Sequence, residues 1–103
     1  MKITLSPVRM DEMLSVERAG DVLYLNGEAC DLTHLTEGAT LPASAIASRW
    51  FTGQVDRENG ELHLTLILPH GPNAPHSTRY PEPITVTENG PVALPIYNEE
   101  VAQ

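Results

Sequence analysis

Short runs in which apolar and polar residues alternate one by one are separated by glycine-bearing turn signals, and few folds accept that pattern. Ile3 and Leu5 alternate with Lys2, Thr4 and Ser6; Leu14 and Val16 alternate with Ser15 and Glu17; Ile84 and Val86 alternate with Thr85 and Thr87. The longest run sets Leu62, Leu64, Leu66 and Leu68 against Glu61, His63, Thr65 and Ile67. A two-residue period puts successive side chains on opposite faces, so each run reads as a strand with one buried face. Arg18-Ala19-Gly20-Asp21 closes a hairpin between Leu14–Glu17 and Val22–Leu25, and Asn26-Gly27 closes the next, with Glu28–Leu32 returning. Asn-Gly suits a type I′ turn because both central residues need positive φ. Glu58-Asn59-Gly60 stands between Phe51–Arg57 and Glu61–Leu68, and Glu88-Asn89-Gly90 between Ile84–Thr87 and Val92–Leu94. At these two, a three-residue loop with glycine in the left-handed region fits as well as a two-residue turn.

The pattern predicts a mostly β chain: an antiparallel, hairpin-rich sheet or small sandwich. One short helix is expected near residues 43–48, where Thr40 can cap, Pro42 falls near the first turn, and Ala and Ile follow. Residues 69–83 hold five of the nine prolines. Proline supplies no ladder donor, so this stretch reads as a stiff extended loop without regular pairing. Residues 1–97 are expected to form one domain, with 98–103 as a flexible tail and fraying from Pro95 onward.

With one Trp, one Phe and three Tyr, the core must be aliphatic. Six basic residues face fourteen acidic ones, a formal charge of −8. Lys2 is the only lysine and the arginines are scattered, so neither nucleic acid nor an anionic membrane surface is an expected partner. The single cysteine, Cys30, excludes an intramolecular disulfide and fits a reducing compartment. The opening lacks a signal-peptide apolar run, and Leu62–Leu68 is far shorter than the roughly 20 residues that span a bilayer.

No catalytic residue is expected. Asp11-Glu12, Glu58/Glu61 and Glu99-Glu100 lie beside turns or termini, where carboxylates stay solvated. There is no Gly-x-Ser-x-Gly elbow, and Ser44 and Ser48 fall on the candidate helix. Gly71 is followed by Pro72, which removes a donor a phosphate loop would need. His70 and His76 lie six apart, and Cys30 and His34 have a ligand-like gap, but no CxxC or HExxH motif is present. No metal and no cofactor are therefore expected. The alternative is a small metal- or ligand-binding β module built on His70 and His76. Trp50 and Phe51 are adjacent, so in a strand one fills the core and the other is partly exposed as a contact point; the favoured alternative is that both cap the open edges of a thin β core.

The stretch Trp50–Arg57, then Gly60–Pro75 with its Leu-Pro-His-Gly-x-Asn-Ala-Pro segment at 68–75, resembles a group of small proteins encoded beside tail and tail-fibre genes in bacteriophages and prophages of Gram-negative bacteria. The opening Met1–Pro7 and Gly90–Pro95 fit the same pattern. The resemblance implies genomic context, not mechanism, and no catalytic residue comes with it. It implies a small structural or assembly factor that contacts phage tail proteins through a β edge and the proline loop. Such a protein is made in the host cytoplasm and can enter the virion. Ile67 interrupts the polar face of its strand, so something must cover it: the short helix, another sheet or a second subunit. Trp50, Phe51, Ile67, His70, Asn73 and Tyr80 are the candidate contact residues, with a homodimer slightly favoured over a monomer.

Overall fold

The computed structural model describes residues 1–46 and 48–98. The described residues form nine strands: β1 (Lys2–Arg9), β2 (Val16–Ala19), β3 (Val22–Leu25), β4 (Glu28–Asp31), β5 (Thr40–Leu41), β6 (Val55–Glu58), β7 (Glu61–His70), β8 (Ile84–Thr85) and β9 (Gly90–Val92). They form two sheets, ordered β5-β6-β7-β1-β8 and β4-β3-β2-β9. The chain is mostly β, as the alternation requires. The helical elements among the described residues are a 3₁₀ turn at Ala43–Ala45 and the single α turn α1 (His76–Arg79). The helix expected at 43–48 is thus shorter, and Ala47 lies outside the described residues.

Turn chemistry sets the hairpins. Asn26 and Gly27 have φ of 51° and 85°, and Leu25 pairs with Glu28, a two-residue connection with both central residues left-handed. Glu58 pairs directly with Glu61 across Asn59 (φ 52°) and Gly60 (φ 76°), so this loop too has two residues and not three. Glu88-Asn89-Gly90 does not close a hairpin. β8 pairs with β1 and β9 pairs with β2, so the segment crosses between sheets. Asn89 Oδ1 accepts the Gly20 N–H at 2.8 Å on the way.

The centre of the larger sheet is a parallel pair. Eight consecutive residues of β1 align with β7, from Lys2↔His63 to Arg9↔His70. Pro69 therefore belongs to a strand, which corrects the expectation that 69–83 has no ladder pairing. The Ile67 N–H donates to Trp50 O (2.8 Å) and the Met10 N–H to His70 O (3.2 Å), so alternate residues of β7 face opposite neighbours. Pro69 shares the direction of Ile67, past the last paired residue on that side, where its missing donor costs nothing. The rest of the proline-rich stretch is a loop carrying α1. The tail expectation also changes. The Gly71 N–H donates to Tyr97 O (2.9 Å), Thr78 Oγ1 to Ile96 O (2.6 Å) and the Asn73 N–H to Asn98 Oδ1 (3.0 Å), which ties down 96–98. The rest of the tail, 99–103, lies outside the described residues.

Both sheets feed one aliphatic core. Ile3, Leu23, Leu25, Val55, Leu62, Leu66 and Leu68 are its most buried members. Arg57 on β6 reaches across to the other sheet. Its guanidinium donates to Asp21 in the β2–β3 turn (2.9 Å) and to the carbonyls of Leu32 and Leu35. No helix among the described residues is long and apolar enough to cross a membrane.

Candidate functional site

The β2–β9 ladder ends at Val16↔Val92. Beyond it, the residues leading into β2 and those leaving β9 border an open cleft of about 830 Å³. Asn26 fixes the first wall from its hairpin turn. Its Oδ1 accepts the Ser15 N–H (2.7 Å), its Nδ2 donates to Met13 O (3.0 Å), and its backbone N–H donates to Ser15 O (2.9 Å). The second wall is Leu94–Asn98, held by the Gly71, Asn73 and Thr78 bonds described above and by the Tyr97 hydroxyl donating to Met10 O. The buried Leu68 and Pro69 at the end of β7 also line it.

The lining is mostly apolar, and part of it is exposed. Met13, Ile96 and Tyr24 are 62%, 56% and 36% exposed, and all three line the cleft. Among the described residues, only two other large apolar side chains are comparably exposed, Val8 and Tyr80. Glu17 is the one charged residue among the described lining residues. It shares a sheet face with Tyr24 and Pro91, its partners across the two ladders.

The residues singled out from the sequence are not brought together. Trp50 and Phe51 are both buried, at 3% and 7% exposure, so neither is the outward aromatic that strand alternation predicts. Phe51 bridges Leu66, the Ile67 N–H donates to Trp50 O, and both aromatic side chains belong to the buried core cluster. The Arg49 guanidinium sits 4.3 Å from the centre of the Trp50 ring. Ile67 is half-buried and packs against the core cluster of the same chain. Tyr80 is 70% exposed and packs against His76 with ring centres 4.7 Å apart. The Nδ1 of half-buried His70 donates to the neighbouring Gly71 carbonyl (3.0 Å). His70 and Asn73 therefore support the cleft from behind through the Gly71–Asn73 segment and do not line it. Met13, Tyr24 and Ile96 were not singled out. The signal available for Ile96 was Leu94-Pro95-Ile96-Tyr97, too apolar for a solvated tail, and nothing comparable marks Met13 and Tyr24.

The chemistry within reach is limited. Among the described residues, no three of His, Cys, Asp and Glu converge on a point where a metal ion could sit. Burial pushes the half-buried Cys30 thiol up, and the adjacent Asp31 carboxylate pushes it further. The thiolate, the reactive form, is thereby disfavoured. The Thr33 hydroxyl and N–H both donate to the Asp31 carboxylate and hold it below the usual range. Comparison of the chain with models of protein families, with curated proteins and with solved structures finds no match.

Proposed function

We propose that this chain is a non-enzymatic tail-region protein of a bacteriophage or prophage. It is a small structural or assembly factor that works by holding part of another protein in the apolar cleft. The observation that carries the contact role is the gathering of Met13, Tyr24 and Ile96, three of the five exposed large apolar side chains among the described residues, along one cleft. Scattered exposed apolar residues are ordinary, but a concave cluster of them marks a surface that a partner covers. The phage context rests on the sequence resemblance through residues 50–75 and the two flanking segments.

Site-specific photo-crosslinking in phage-producing cells tests this. A photoreactive phenylalanine analogue replacing Tyr24 should yield a covalent adduct with a tail or tail-fibre protein. The same analogue replacing exposed Thr4, on the other sheet, should yield none. Adducts from Thr4 and none from Tyr24 would move the contact off the cleft. Adducts from Tyr24 solely with proteins unrelated to the tail would remove the phage assignment.

A further inference from the structure

The cleft also constrains what kind of segment it takes, an inference that rests on the contact role proposed above. We propose that its occupant is a short apolar peptide segment of a partner protein with a lysine or arginine next to its apolar residues. The reason is Glu17. It is the only charged group among the described lining residues, it is exposed, and no Lys, Arg or His lines the cleft with it. Any segment that covers Met13, Tyr24 and Ile96 also takes water away from Glu17. A carboxylate stripped of water without a compensating cation or donor opposes binding.

The chain itself offers little to neutralise it. Arg9 is engaged by Asp11, Arg18 by the carbonyls of Gly20 and Val86, Arg49 by Glu12, and Arg57 by Asp21. Lys2 and Arg79 are not among the lining residues. The cation must come with the ligand, and the formal charge of −8 draws such a ligand in and repels an acidic one. The same argument disfavours a second copy of this chain as occupant, because it brings the same negative charge. Pro69, Pro91 and Pro95 in the lining have no N–H to offer, so recognition runs through side chains more than through strand addition.

The test pans a random peptide library against the full chain, then measures binding of enriched peptides by fluorescence anisotropy. Wild type is compared with Ile96→Asp and Glu17→Gln, each checked for a native circular dichroism spectrum. The expected result is enrichment of apolar peptides bearing Lys or Arg. Ile96→Asp should abolish their binding, and Glu17→Gln should weaken it about two- to five-fold at low salt and less at high salt. Peptides that bind the cleft but are neutral or acidic, or that ignore Glu17→Gln, overturn the charge inference and leave the contact role standing. Peptides that bind Ile96→Asp as well as wild type, or no enrichment at all, overturn both. Light scattering over a dilution series covers the remaining occupant. A wild-type dimer that Ile96→Asp converts to a monomer places a second copy in the cleft and overturns the peptide proposal.

Discussion

Gly71 is buried, and a Cβ built on it would overlap the side-chain amide of Asn98. Its φ is not left-handed, so glycine is required here for room and not for backbone freedom. The Asn98 amide fills that space and accepts the Asn73 N–H, fastening the end of the cleft wall to the turn after β7. Gly71→Ala should therefore turn the Asn98 side chain away and cost about 0.5–1.5 kcal/mol, the net worth of the Asn73 hydrogen bond it gives up. Urea denaturation measures the cost, and amide chemical shifts at Asn73 and Tyr97 report the displacement. An unchanged spectrum would mean that the wall does not depend on this contact. Side chains at a distance in sequence decide the matter, which is why the Gly71-Pro72 pair read only as a poor phosphate loop.

The β6–β7 hairpin is the element whose chemistry is most nearly local. Asn59 and Gly60 both adopt positive φ, and the Glu37 carboxylate accepts both of their N–H groups at 2.7 Å each. The two contributions should differ in size. Gly60→Ala forces a Cβ into the left-handed region and should cost about 1–2 kcal/mol. Glu37→Ala exposes two N–H groups that water can satisfy, so its cost should fall below about 1 kcal/mol. Chemical denaturation of both variants checks the order, and an equal or reversed order would make the carboxylate clamp the main restraint. The turn was legible in Asn59-Gly60, whereas Glu37 comes from a separate loop. The strand before this turn was legible only in part. Phe51 and Asp56 are five residues apart while their partners Leu66 and His63 are three apart. Two extra residues bulge out near Gly53, whose φ is 75°.

Across the whole molecule, the two sheets share an apolar core, and Arg57 adds a directional link between them. Its side chain is 13% exposed and that of Asp21 is 32% exposed. Removing the guanidinium strands Asp21 and the carbonyls of Leu32 and Leu35 together. Arg57→Ala should destabilise by about 2–3 kcal/mol, as for a hydrogen-bonded charged group. Arg57→Lys should recover little, because one ammonium cannot reproduce a planar fork on several acceptors. Thermal unfolding followed by circular dichroism decides it. Full recovery by lysine would reduce the link to a simple charge pair.

What the sequence determined by itself is what neighbouring residues determine. Strand character in Lys2–Ser6 and Glu61–Leu68 follows from side-chain period. The Asn26-Gly27 and Asn59-Gly60 turns follow from which residues tolerate positive φ. The aliphatic core follows from composition. What the tertiary structure decided are the long-range partnerships. β1 pairs in parallel with β7 some sixty positions away, Ile84–Thr85 and Gly90–Val92 part to different sheets, and Ile96–Asn98 is tied to Gly71, Asn73 and Thr78. A strand's alternation says that it has a buried face but not which backbone will satisfy its edges. That choice depends on loop closure and on the fit of whole faces, so it is a property of the packed chain. Trp50 and Phe51 show the same limit: their adjacency puts one of the two toward the core, and only packing decided that both are buried.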